Sequence, residues 1–511
     1  MCNFVCSVVT TVVGCILVIA SCLIAFLLVP NLVENIIINE VVLINDTIQY
    51  ERFETVPFPL QFSVRIMEIS NPEEVLAGGI PKMVEKGPYV YKLYQSRNIT
   101  YVDDDILRYH RLENFEFDAE ASYPLTEDDM VTTINVAYHA IIQIAEVQFP
   151  ALVSVLNLAM SSIFGVHNSP ISTYRVRDLF FDGVRICDNP GLIGGIACSI
   201  IRDIGAGAQN LAEQEDGSLL FSLLDYKDNK PSPEYEVYRG IENSDQLGLL
   251  RLFDNLPHFM YWVDAAEDDP GVCNMINGTD SGIFAPFVDV QNSIYAINTD
   301  ICRSVELRHQ YNVDVDGIPT ARFSSNEWFM DNNEGCFCLN ITKGINNDDG
   351  CLLTGAMELY TCVGAMLVLS YPHFLYADFR YRNGVLGMIP QEEVHRIFID
   401  IEPNTGTPIR GAKRAQFNIF QRPISGIPPT SNLRTVLMPI VWVEESIDLP
   451  EEYKEELRSR LLGPLNLLDI LIPVVIAVCA GVLLAGLVML LRSKREKPTA
   501  LPMSTERDNK I

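Results

Sequence analysis

The chain has 511 residues, 48% of them hydrophobic, and its 37 Lys and Arg stand against 66 Asp and Glu for a formal charge of −29. That much apolar material can bury one large core or two smaller ones, which excludes a disordered chain. The acidic balance excludes a polyanion-binding surface, so nucleic acid is not an expected partner.

The first seven residues are an uncharged tail that carries Cys2 and Cys6 beside an apolar run. That run, Val8 to Val29, is 22 residues without a charge. As a helix it is about 33 Å long, enough to cross a bilayer. Pro30 is expected to end it. A cleaved signal peptide is the competing reading, but "MCNFVCS" has no basic residue, the run is too long, and no convincing small-residue cleavage site follows.

Residues 50–118 read as strands and turns: "YVYKLY" (Tyr89 to Tyr94) alternates after Gly87 and Pro88, and "NFEFD" alternates after Asn114. Residues 131–165 read as helix. After Pro150, apolar residues recur at helical spacing at Leu152, Val155, Leu156, Ala159, Met160 and Ile163. The opposite positions are also apolar or small, and Ile134 to Ile163 holds no Lys or Arg and a single acid, Glu146. Two readings stand: a helix pair buried in its own domain, or a ligand-receiving surface formed by Phe149, Leu152, Val155, Leu156, Met160 and Ile163. "NPGLIGG" (Asn189 to Gly195) lies between Cys187 and Cys198 and reads as a disulfide-closed loop.

From Gln291 onward strand character returns in "SIYAI", "HQYNVDVDGIP" and "HRIFIDIEP". Asn312, Asp314 and Asp316 echo a calcium loop, but the twelfth position is Phe323, so a hairpin turn at Asp316 and Gly317 is expected. The chain is α+β with β dominant. Acidic clusters such as Glu127 to Asp129 read as solvated surface. No nucleophile elbow, phosphate loop or zinc-protease motif occurs, so neither an enzyme nor a cofactor is expected.

A second uncharged run of 22 residues, Ile470 to Leu491, is followed by Arg492, Lys494, Arg495 and Lys497. These cations place the tail, 492–511, in the cytoplasm. Two spans, 8–29 and 470–491, then put both termini inside and residues 30–469 outside, where 31 basic against 63 acidic residues leave −32. Four sequons, at Asn45, Asn98, Asn277 and Asn340, all fall in that segment. So do eight of the 13 cysteines: Cys187, Cys198, Cys273, Cys302, Cys336, Cys338, Cys351 and Cys362. An even count in an oxidising compartment predicts four disulfides, with 105 pairings open. A zinc site at Cys336, Cys338, Cys351 and Cys362 fails on spacing and lacks a suitably placed histidine.

The two-anchor layout, "NPEEVLAGGIPKMVEKGPYVY" (Asn71 to Tyr91), "CNMINGTDSGIFAPF" (Cys273 to Phe287), "DICRSVEL" (Asp300 to Leu307), "CFC" (Cys336 to Cys338), "YPHFLYAD" (Tyr371 to Asp378), "DIEPNTGTPIRGAKRAQFN" (Asp400 to Asn418) and "MPIVWVEE" (Met438 to Glu445) together resemble the class B scavenger receptors. That family includes fatty acid translocase and the lysosomal integral membrane proteins. The segments Arg175 to Asp203 and Glu236 to Gly240 look most like its insect sensory neuron branch. The resemblance implies an antiparallel β-barrel-like ectodomain, a helical-bundle cap at about residues 131–205, and an internal hydrophobic tunnel leading towards the membrane. It implies bridges Cys273 to Cys336, Cys302 to Cys362 and Cys338 to Cys351, leaving Cys187 with Cys198; it matches Cys2 and Cys6 to lipidated tail cysteines, against ordinary submembrane cysteines, and sets Glu445 near ligand, against a solvated strand-end carboxylate. It implies a plasma-membrane receptor for fatty acids or fatty-derived pheromones, acting on the bilayer or beside an olfactory receptor complex. A lysosomal address is less favoured, since "REKPTALPM" has no clear acidic dileucine signal. A general scavenger of lipid or debris, or an adhesion protein without cargo, are the alternatives. This cap lacks the lysines that some vertebrate relatives carry there, which favours neutral, apolar ligands.

Overall fold

The computed structural model describes residues 4–262, 271–331 and 335–495. Two compact units emerge: the two ends of the chain, up to Glu40 and from Glu451, and the span Val41–Pro450.

The terminal unit is helical. Phe4–Val41 and Glu451–Lys494 are both long and apolar enough to cross a membrane. They pack closely where side chains are smallest. A Cβ on Gly14 would come within 2.6 Å of the Leu483 backbone, and one on Gly486 within 2.7 Å of the Thr11 backbone. In lipid, such close approach replaces the hydrophobic drive that water would supply. Pro30 does not end the first helix as expected. The helix continues through it from Val29 to Val41, and the turn before it, Ile24–Leu28, is a π-helix. Proline collides with the carbonyl four residues earlier, and the wider turn opens the ladder at that point.

The larger unit is organised by one antiparallel sheet. Its strands are β1 (Leu60–Ile69), β2 (Met83–Val102), β3 (Ile106–Phe117), β4 (Glu234–Tyr238), β5 (Leu250–Phe253), β6 (Ile294–Asn298), β7 (Arg303–Val315), β8 (Ile318–Ser325), β9 (Ile397–Glu402), β10 (Thr407–Gln421) and β11 (Val436–Asp448). They lie in the order β5-β4-β3-β2-β1-β11-β10-β9-β8-β7-β6. Along this path the strands follow chain order, with the cap segment inserted between β3 and β4 and a short branch between β8 and β9, except where β1 meets β11 with Phe62 opposite Glu445 and Val64 opposite Val443. A short branch, Met357–Glu358 with Leu367–Ser370, pairs onto β10.

The barrel is not closed, because no ladder joins β5 to β6. Both are short, and an irregular segment fills the space between them. Gly278 accepts the Leu250 N–H at 2.9 Å, and Thr279 exchanges bonds with Tyr295 (3.3 Å) and Ile297 (2.7 Å). Covering both edges this way protects them without continuous pairing. Gly278 is required there, since its φ is +90° and a Cβ would sit 2.0 Å from the Tyr295 carbonyl oxygen.

The main core, with Val64, Tyr91, Phe115, Leu369 and Trp442 among its members, lies against this sheet. A second cluster around Phe284, Phe323 and Ile401 packs on one face of β8 and β9. Buried charge is paired: Arg97 and Asp280, 4% and 2% exposed, meet at 2.6 Å, and Tyr109 donates to the same carboxylate at 2.9 Å. Four disulfides lie wholly within the described residues, joining Cys187 to Cys198, Cys273 to Cys336, Cys302 to Cys362 and Cys338 to Cys351, with Cα separations of 5.1–5.9 Å. The Asp316 and Gly317 pair makes the expected hairpin turn between β7 and β8, both at positive φ.

Candidate functional site

The cap region is not helical from its start. Met130–Ile134 is a strand paired with Ile171–Arg175. Its Val-Thr-Thr-Ile run is β-branched and finds a partner forty residues on, which overrides the apolar helix-like pattern. Asn135 then opens the first cap helix, Val136–Gln148, by accepting the Tyr138 N–H while donating to the His167 and Ser169 carbonyls. Pro150–Leu152 forms a 3-10 turn into the second helix, Val153–Phe164, which stops at Gly165 with φ +52°. A third helix, Gly191–Ile204, occupies most of the stretch expected as a loop. The Cys187 to Cys198 bridge ties the strand before it to its middle, and Gly194 packs against the Ser162 side chain.

These helices share a small core of Tyr138, Ile142, Val153, Met160, Ile163 and Phe164 with Ile201, Ile424 and others. The six residues set down as ligand-receiving therefore separate. Leu156, Met160 and Ile163 point into the cap core at 9%, 2% and 1% exposure. Phe149, Leu152 and Val155 face outward. Outward too are Leu158, Val166, Leu192, Ile193 and Ile196, none of which was on that list. The clue to them was the apolar character of both helix faces, which left periodicity unable to say which face was covered.

The first two cap helices carry a single charged side chain, Glu146. Glu146 lies at the foot of the cap, where Arg422 pairs with it at 3.2 Å and Lys343 at 3.6 Å. Burial pushes its carboxyl up, but these cations outweigh it and hold it below the ordinary range. His139, fully buried with Nε2 at 3.2 Å from the Pro170 carbonyl, is lowered to about 4 by desolvation.

Glu445 belongs to a second constellation. It is no solvated strand-end carboxylate: Lys413 meets it at 2.9 Å, and Lys227 and Arg111 act on it as well. Lys227 bonds Asp300 at 2.9 Å and Glu113 at 3.3 Å, and Arg111 pairs with Glu113 at 3.1 Å. Three cations and three anions thus converge from β3, β10, β11 and two loops. Desolvation is the largest single influence on Lys227, Arg111, Asp300 and Glu445, yet their side chains retain 13%, 13%, 33% and 18% exposure. Burial alone would raise Glu445 and Asp300 and lower Lys227 and Arg111. Opposite charges reverse each of these directions. Only Glu445 was singled out from sequence. Arg111 and Glu113 carried a signal there: they share the parity of Tyr109 and Phe115 on β3, the apolar side of the strand.

The sequon asparagines Asn45, Asn98 and Asn340 are exposed and Asn277 is half-buried, and Asn45 accepts a bond from Arg239 at 2.6 Å. Cys6 lies in the first turn of the N-terminal helix and is disulfide-bonded, so it offers no thiol for an acyl chain, and Cys2 lies outside the described residues. Cys336, Cys338, Cys351 and Cys362 are all spent in disulfides, which leaves no thiolate for zinc.

Terminal apolar helices, a disulfide-bonded β-rich unit and a largely apolar helical cap define a membrane protein of the scavenger-receptor kind. The model of the CD36 family matches residues 12–490, and the chain belongs to that family. It is 33% identical to sensory neuron membrane protein 2 of Drosophila melanogaster, over 87% of this chain and 90% of that one. It is 35% identical to sensory neuron membrane protein 2 of Heliothis virescens, over 85% and 84%. Sensory neuron membrane protein 1 of Pediculus humanus subsp. corporis is 31% identical, over 90% and 87%.

Proposed function

We propose that this protein is a receptor that takes long-chain hydrophobic molecules, fatty acids or fatty-derived pheromones, onto the outward face of its cap. From there it passes them through the ectodomain to the membrane or to a neighbouring olfactory receptor. The observation that carries this reading is the apolar face itself: Val155, Leu158, Leu192, Ile193 and Ile196 are exposed on two helices that touch at Ser162 and Gly194. Patches of this kind on a folded surface mark contact with apolar partners. Electrostatic capture is not the driving force, since the first two cap helices hold no Lys or Arg and the third holds only Arg202, in its last turn and paired with Glu213 at 2.7 Å. Burial supplies it: at about 0.8 kcal/mol per methylene, a fourteen-methylene chain gains on the order of 11 kcal/mol before entropy costs. The remainder is weak enough for release.

The hydrophobic tunnel, the plasma-membrane address and cytoplasmic termini belong to the same reading, as do glycans on the four sequons. The sensory neuron names of the relatives support a chemosensory role over general scavenging. The test is mass spectrometry of lipids that co-purify with the full-length protein from cells. Fatty acids, alcohols or esters enriched over a detergent-only control are expected. No enrichment, with a folded protein, overturns the transfer reading in favour of adhesion.

A further inference from the structure

The strongest feature outside the cap is a pocket on the other side of the sheet. In register, Arg322 on β8 lies opposite Asp400 on β9, and Asp400 opposite Arg410 on β10. Phe398 and Arg414 follow at even spacing on the same face, while Phe323, Ile399 and Ile401 turn the other way into the apolar cluster. Arg322, Phe398, Arg410 and Arg414, with Arg396 and Glu393, line an open pocket of about 240 Å³. Four guanidiniums thus line one small space in a chain of net charge −29.

Each arginine is held by an acid. Asp400, fully buried, grips Arg322 through two 2.6 Å bonds and Arg410 through two of 3.2 Å. Glu444 takes Arg414 Nε at 2.5 Å, and Glu392 takes Arg396 Nη1 at 2.8 Å. The Phe398 ring lies under three of them, 4.3 Å from the Arg322 guanidinium, 5.5 Å from Arg414 and 6.0 Å from Arg410. This fixes the forks in place before any ligand arrives, so little side-chain entropy remains to be lost. A guanidinium has five N–H donors. Arg410 Nη1, Arg414 Nη2 and Arg396 Nε have no protein partner among the described residues. At the rim stands Glu393, 78% exposed and 3.9 Å from Arg396.

We infer that this pocket binds a phosphate group, carried by a small soluble phosphate monoester or by a lipid headgroup. Guanidinium forks match phosphate oxygens in charge and geometry, and a doubly charged tetrahedral anion can take donors from three directions at once. The volume admits a phosphate with a few attached atoms, for which Phe398 is an apolar wall. A long polyanion is repelled by the acidic surface as a whole, whereas one phosphate meets only the local field. Glu393 opposes entry and sets the affinity. The site is independent of the lipid-receiving cap, so it stands or falls separately from the proposed function.

The test uses the full-length protein in maltoside detergent and phosphate-free buffer, titrated by calorimetry with inorganic phosphate, phenyl phosphate and dioctanoyl phosphatidic acid. Saturable one-site binding is expected, with acetate failing to compete. Arg410→Gln, which leaves Asp400 paired with Arg322, is expected to weaken binding about tenfold, as loss of one charge-assisted bond does. Glu393→Gln, at an exposed position, is expected to tighten it about threefold by removing a like charge. Phosphatidic acid binding more tightly than phenyl phosphate assigns the lipid source, and the reverse assigns the soluble one. No saturable heat with any of the three probes overturns the inference. So does binding that neither variant changes while both keep the wild-type melting temperature.

Discussion

Replacing Val155 and Leu158 together with serine separates capture from folding. Val155 is 52% and Leu158 69% exposed, so neither holds the cap together. Surface changes of this kind alter stability by about 0.5 kcal/mol or less. A fully buried valine or leucine is worth about 1.5–3 kcal/mol, so covering the exposed fractions of both with ligand is worth roughly 2–3 kcal/mol. At 1.4 kcal/mol per decade, their loss weakens binding about 30- to 150-fold. Met160→Ala is the contrast: at 2% exposure it opens the cap core, which costs about 2–5 kcal/mol. The assay is fluorescence titration of the full-length protein with cis-parinaric acid, alongside thermal unfolding. The serine pair is expected to lose affinity at a wild-type melting temperature, and Met160→Ala to lose melting temperature. A serine pair that binds with unchanged affinity refutes the assignment of this face.

His139 makes the cap acid-sensitive. Desolvation lowers it to about 4, so the fold favours its neutral form. The contribution is present above the unfolded value near 6.5 and is lost as pH falls from there towards 4. Between pH 6.5 and pH 5 this amounts to roughly 2 kcal/mol, and His139→Gln is expected to flatten thermal stability over that interval. An identical pH slope in wild type and variant counts against it. Asp280→Ala is expected to cost about 3–5 kcal/mol by stranding Arg97 in the core, whereas exchanging the exposed Asp128 costs almost nothing. Denaturant unfolding compares the two.

Much was legible because it was local. A run of 22 apolar residues needs no partner to be recognised as a span, and sequons and cysteines report their compartment wherever the fold puts them. "YVYKLY" falls within β2 and "NFEF" within β3, since alternation is a property of the strand itself; Asp118 caps the helical turn that follows. The solvated reading of the acidic cluster was less apt: Glu127 and Asp129 accept bonds from the buried Tyr91 and Tyr89 across the fold.

What the sequence by itself determined was membrane anchoring, an acidic segment between the two spans with an even set of cysteines, a β-rich unit and a stretch from Ile134 to Ile163 without Lys or Arg. Those follow from composition and short-range period. The tertiary structure alone decided which side of an all-apolar helix is covered, burying Met160 and leaving Leu158 in the open. It also decided that Met130–Ile134 pairs as a strand, that the sheet stays open between β5 and β6, and that a π-turn carries the first helix past Pro30. The two charge clusters are of the same kind. Arg111, Lys227, Lys413 and Glu445 are more than three hundred residues apart end to end, as are no neighbours in the chain. Coulomb energy depends on distance in space, and only the strand order supplies that distance.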